Sequence, residues 1–407
     1  MANTLFSVLR KPLVLNILTK NIGLASIYAQ DIRNLYSKSA LGLDGFEHQQ
    51  QRIKLQMSSI GDKFREKMSE SVSEESKNMI FTEDLKNMIH IAETDQDVGL
   101  VVEMLKRYNK QNKSLRFGNY IFGPVVMRML YLHNKSDLAV ECFRSEELSG
   151  LFDQYVSFQI LLDLLYENGK FKELLEMFEI IVEKQLEGHK YPKNVVVLAM
   201  AACYKLNNQE SLDYALNLWS RLTESGHQPM RRATTFCACL AVNQGKPDIA
   251  LEILCSARNQ NYTTVRNIRV AALADIGRLE DVLPILKNVV SDDLQQGQQV
   301  HTFNRDVIEQ IEKAVSKSDN PELTLEFNRL KQIFEKQGHI NNTTLNEQLC
   351  LEIQKPPTNT GDPYARFDFR QNYQSRGQQN YNNNNFQQPR KQRGGRFQQK
   401  PGLEELV

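Results

Sequence analysis

The chain has 407 residues and a net charge of +1, with 41% hydrophobic and 24% charged residues. That length accommodates two or three average domains or one array of repeats. No uninterrupted apolar run reaches the roughly 18 residues that a membrane span needs, and six cysteines are too sparse for a disulfide-built scaffold and suit a reducing compartment. The charge is uneven. Residues 1–43 carry +4, residues 371–400 carry +6 and residues 401–407 carry −2, which leaves −7 on the stretch between. Nucleic-acid binding by this mildly acidic middle would have to rest on local basic patches.

Residues 1–40 have the composition of a mitochondrial targeting leader. Arg10, Lys11, Lys20, Arg33 and Lys38 stand among apolar clusters, and Asp31 is the single acid. A secretory signal would want one apolar core of about 7–15 residues, and Asn16, Lys20 and Asn21 break the run. Cleavage is expected around Leu35 to Ser39, and the matrix is the expected destination. Residues 41–79 are polar and read as a linker with a helical lead-in.

From 80 to 354 the apolar residues recur at helical spacing. Short breaks separate helices of about 12–17 residues, a typical helix length: Asp95-Gln96-Asp97, His133-Asn134-Lys135, Asn168-Gly169-Lys170, Asn207-Asn208, Gln244-Gly245-Lys246 and Ile276-Gly277-Arg278. Two helices make a unit, and the units superimpose. Gly169-Lys170-Phe171-Lys172-Glu173-Leu174-Leu175 matches Gly245-Lys246-Pro247-Asp248-Ile249-Ala250-Leu251 and Gly277-Arg278-Leu279-Glu280-Asp281-Val282-Leu283. A period near 35 residues in helical pairs predicts an all-α, right-handed solenoid of six or seven stacked antiparallel helical hairpins, in which each unit needs its neighbours to cover its apolar face. Ala139, Ala215 and Ala250 are small enough for close helix approach.

The segment Val156-Ser157-Phe158-Gln159-Ile160-Leu161-Leu162-Asp163-Leu164-Leu165-Tyr166-Glu167-Asn168-Gly169-Lys170-Phe171, with Met177-Phe178 downstream, resembles the pentatricopeptide repeat pattern. The tetratricopeptide alternative wants a Trp and a Leu-Gly in its first helix; Trp219 falls in a second helix. The resemblance implies single-stranded mitochondrial RNA as ligand, transcript maturation as process, and no cofactor. It also implies that one polar residue in the first helix of each hairpin hydrogen-bonds a base edge from a concave groove. The matching positions are Gln159, Thr235 and Asn267, with Val197 and Pro124 interrupting any one-base-per-repeat code.

Cations near these positions are candidates for phosphate contacts: Arg231, Arg232, Arg266 and Arg269, and a denser segment of Lys106, Arg107, Lys110, Lys113 and Arg116. Each of them is equally readable as a solvated helix face. Nothing marks an enzyme or a metal site. Cys237 and Cys239 are too close in a helix to share one face, the seven histidines are scattered, and no phosphate-binding glycine loop occurs.

After Pro356-Pro357 the composition changes. Residues 371–400 hold nine Gln and six Asn, so 355–407 is expected to be a disordered tail. Its Arg390, Lys391, Arg393 and Arg396, interleaved with aromatic residues, suit single strands without sequence preference. The alternative to RNA binding is a protein–protein scaffold, with RNA-processing or ribosomal proteins as partners.

Overall fold

The computed structural model describes residues 35–354, except 74, 75, 77, 116–119, 187–189, 292–300 and 319, and except the side chains of 113–115 and 291. Residues 1–34 of the expected leader and 355–407, the expected tail, lie outside the described residues.

After a short helix α1 (Lys38–Leu41), the described residues form eight helical hairpins, against the six or seven expected. They are α2 (Leu43–Met57) with α3 (Gly61–Val72), α4 (Thr82–Ile91) with α5 (Asp95–Leu115), α6 (Gly123–Leu132) with α7 (Ser136–Arg144), and α8 (Tyr155–Glu167) with α9 (Phe171–Lys184). Then come α10 (Lys193–Leu206) with α11 (Gln209–Glu224), α12 (Arg231–Asn243) with α13 (Pro247–Cys255), α14 (Thr263–Ile276) with α15 (Leu279–Ser291), and α16 (Arg305–Lys317) with α17 (Pro321–Gln337). Each first helix packs on the next first helix, from α2 on α4 through to α14 on α16. The protein is an all-α helical repeat solenoid, as the 35-residue period requires.

Turn chemistry sets the repeat. Five first helices end in a residue with positive φ: Asn134 (51°), Gly169 (68°), Asn207 (46°), Gly245 (69°) and Gly277 (82°). Glycine enters this region without steric cost, and asparagine is the side chain that best tolerates it. Hydrogen bonds then step from hairpin to hairpin at the repeat period. Tyr131 donates to Asp163 Oδ2 across 32 residues (2.9 Å), Asn168 to Asn134 Oδ1 across 34 (2.7 Å), Asn194 to Gln159 Oε1 across 35 (2.9 Å) and Gln310 to Asp275 Oδ1 across 35 (2.6 Å). Ala139, Ala215 and Ala250 are fully buried in second helices, as close packing demands.

Two boundaries differ from expectation. The array begins at Leu43 rather than 80: 41–79 is no linker, because Leu43, Phe46, Ile53 and Met68 bury one face of a hairpin whose other face is polar, as a terminal capping repeat requires. Leu35 and Tyr36, inside the stretch expected as leader, are buried. Gly42, at φ 72°, turns the chain from α1 into α2, where an added Cβ would lie 2.9 Å from the Arg128 guanidinium. Finally, the array ends at Gln337 rather than 354.

Residues 338–354 run back over the first helices. Strand β1 (Phe303–Asn304) pairs in parallel with β2 (Ile340–Asn341), and α18 (Leu345–Leu349) packs on α12 and α14. Ile353 then forms a parallel bridge with Tyr36, donating to Leu35 O (2.8 Å) while its own carbonyl accepts from Ser37 N (3.1 Å).

Candidate nucleic-acid interface

The first helices share one register. The left-handed residues Asn134, Gly169, Asn207, Gly245 and Gly277 each lie ten residues beyond Pro124, Gln159, Val197, Thr235 and Asn267 in turn. The turn therefore places all five at one level of successive first helices, the alignment expected of them.

Their side chains serve the fold. Gln159 is buried, and its Oε1 accepts from Asn194 Nδ2. Thr235 is buried and donates to Arg232 O at 3.0 Å. Asn267 is fully buried; its amide donates to Thr263 O (2.8 Å) and Thr302 O (3.3 Å), and its Oδ1 accepts from Asn304 N (2.9 Å). In this conformation the polar contacts of all three are spent inside the protein: on the next hairpin for Gln159, on its own helix for Thr235, and on both its own helix and the segment entering the next hairpin for Asn267. Val197 is fully buried and Pro124 half-buried.

Asn267→Ala should accordingly act on stability before it acts on any ligand. It strands the Asn304 N–H and the Thr302 carbonyl in the interior, at about 1–3 kcal/mol per unsatisfied group. Urea unfolding should show a lowered midpoint with an unchanged slope, and an unchanged midpoint would mean that these bonds are dispensable.

The cations divide. The Arg231 guanidinium stacks on the Tyr262 ring, 3.1 Å from its centroid, and burial pushes its pKa down to about 10, with Arg232 adding to the effect. Arg232 donates to Leu349 O. Arg266 is buried and donates to Asn261 O at 2.7 Å. Arg269 is half-buried and Lys110 is exposed. On α5, a second helix, Lys106 pairs with Glu103 (2.8 Å), and Arg107 donates to Ser73 O (3.0 Å), Asn78 O (2.9 Å) and Ser76 O. These two cations fasten neighbouring segments and stand apart from the first-helix row. The Lys113 side chain, Arg116 and the tail cations Arg390, Lys391, Arg393 and Arg396 lie outside the described residues.

A polar cluster at the centre of the first-helix row has no counterpart among the expected residues. Asp163 is fully buried in α8. Burial pushes its pKa up to about 8, against the lowering effect of the hydrogen bond from Tyr131. Around it stand Tyr36, Tyr166, Glu167, Arg232 and Cys350, whose charges and dipoles act on one another. The signal was present as a lone carboxylate inside the apolar run Ile160-Leu161-Leu162-Asp163-Leu164-Leu165.

Five cysteines are buried and Cys255 is exposed; burial pushes the Cys237 and Cys239 thiols up to about 12. Among the described residues no group of three or more His, Cys, Asp or Glu is placed to hold a metal ion, and no helix is long and apolar enough to cross a membrane.

With this geometry in view, known proteins give the same answer as the repeats. The chain is 28% identical over 318 residues to a mouse protein, covering 78% of this chain and 82% of the relative. It is 26% identical over 318 residues to a human protein, covering 78% and 80%. A zebrafish protein matches at 27% over 322 residues, covering 78% and 81%. All three are named pentatricopeptide repeat-containing protein 2, mitochondrial. This chain resembles them along most of its length. No family model matches the chain.

Proposed function

We propose that the protein is a mitochondrial RNA-binding solenoid of the matrix, without catalytic activity of its own, which holds single-stranded RNA along its first-helix row and so takes part in maturation of mitochondrial messenger RNA and in respiratory-chain expression. The observation that carries this reading is the match, over more than three quarters of the chain, to proteins named as pentatricopeptide repeat-containing and mitochondrial. The basic leader is consistent with that address. The mechanism is occupancy: a covered segment is kept unpaired, shielded, or presented to a separate nuclease.

Fluorescence anisotropy of labelled single-stranded RNA with the full chain tests this. Log affinity should fall linearly with log salt, by about 0.7 for each phosphate contact on a single strand. Deleting 357–407, which removes six Lys or Arg residues between 371 and 400, should lower both affinity and salt slope while preserving the ranking of sequences. No binding to any RNA at low salt, together with no RNA crosslinked in matrix extract, would end the RNA reading. A protein–protein scaffold is the second reading, and the burial of Gln159, Thr235 and Asn267 favours it.

A further inference from the structure

The first-helix row is roofed by two segments of the same chain, residues 35–37 and 345–354. Tyr204 Oη of α10 donates to Asn346 Oδ1 (3.1 Å), Arg232 of α12 donates to Leu349 O, and Asp306 Oδ2 of α16 accepts from Leu345 N (2.8 Å). The Cys350 thiol faces Tyr166 of α8. Residues 345–354 thus cross five first helices, α8 to α16, in the row that also holds Gln159, Thr235 and Asn267.

This roof is light and imperfect. Its only regular structure is the five-residue α18, far too short to be helical unaided. It is anchored by three buried residues, Leu345, Leu349 and Cys350, while Asn346, Glu347, Leu351, Glu352 and Gln354 are exposed. Within it, Gln348 Oε1 is buried without a hydrogen-bond partner, and beneath it Asp163 and Tyr166 are engaged by the Tyr36 backbone and the Cys350 thiol of the segments that cover them. A cover that belonged permanently to the core would satisfy the Gln348 oxygen.

We propose that residues 345–354 are an autoinhibitory strap: they occupy the first-helix row in the free protein and are displaced when single-stranded RNA binds there. This rests on the RNA-binding reading above and adds its regulation. RNA and strap compete for one surface, so apparent affinity equals intrinsic affinity scaled by the fraction of molecules with the strap off. Arg232 exchanges a strap carbonyl for a phosphate oxygen, the same donor serving both states.

Three measurements on the full chain decide. Leu349→Asp places a carboxylate on the strap's buried anchor and leaves every first-helix residue intact. It should raise RNA affinity about tenfold or more, the gain expected if the open state is a minor one of a few per cent. Tyr36→Cys with Ile353→Cys should, when oxidised, pin the strap through its bridge and lower affinity about tenfold, with recovery on reduction. In the unmodified chain, hydrogen exchange of residues 345–354 should quicken when RNA is added. Should the Leu349→Asp chain fail to fold, the oxidised–reduced comparison and the exchange experiment still decide. RNA bound with equal affinity by the wild type, the Leu349→Asp variant and the oxidised pair, with the strap still protected, overturns the strap and leaves the RNA reading standing. Folded proteins that bind no RNA, the Leu349→Asp variant included, overturn both.

Discussion

Replacing Leu161 with aspartate is expected to unfold the centre of the array. Leu161 is fully buried in α8, which packs against α6, α9 and α10. The substitution removes a packed side chain and leaves a charge without a partner in the interior. Truncation of a buried leucine costs about 2–5 kcal/mol, and an uncompensated buried charge adds about 3–5 kcal/mol. The sum rivals the whole stability of a typical domain. Because hairpins are stabilised mainly by their immediate neighbours, the outer repeats need not melt with the centre. Circular dichroism should therefore show a partial loss of helix at temperatures where the wild type is fully folded, or a much lower midpoint. A variant melting like the wild type would contradict the packing described for α8.

Asp163→Asn is expected to remove a pH-dependent weakness. Burial raises the Asp163 pKa in the folded chain to about 8, against about 3.9 for an unperturbed aspartate. The folded state therefore holds a proton that the unfolded state has already released. The contribution of this group to stability is complete below the unfolded pKa and is lost as the pH climbs towards the folded one. Between about pH 4 and 8 its limiting slope is about −1.4 kcal/mol per pH unit. Asparagine has the shape of the neutral acid and still accepts from Tyr131. The difference in melting temperature between Asp163→Asn and wild type should widen in favour of the variant from pH 5 to pH 8. A difference independent of pH would show that Asp163 is ionised in the folded chain.

The repeat architecture was legible because its causes are local. A left-handed Asn or Gly ending five of the first helices, small alanines in the second helices and apolar residues at helical spacing all act within about 35 residues of chain, so one unit could be laid on the next. The register of Pro124, Gln159, Val197, Thr235 and Asn267 followed from the same turns. The first hairpin was less legible: α2 and α3 are largely polar, and a capping repeat displays one apolar face only.

The state of the candidate site was decided elsewhere. Polar residues at the reading level looked free because most of their partners are distant in sequence. Asn304 bonds Asn267 from 37 residues away, Leu349 takes Arg232 from 117, Asn346 takes Tyr204 from 142 and Asn194 takes Tyr36 from 158. One clue was local. From Val195 to Cys203 every residue of α10 is apolar, and all nine are buried. A helix with one side on an open groove keeps a polar stripe there, whereas a helix apolar all round is covered on every side. The sequence alone determined how the helices repeat, and an open groove along the first helices was the expectation. Only the tertiary structure decided that the covering elements are residues 35–37 and 338–354 of the same chain, because a contact between residues more than a hundred positions apart leaves no periodicity in either segment.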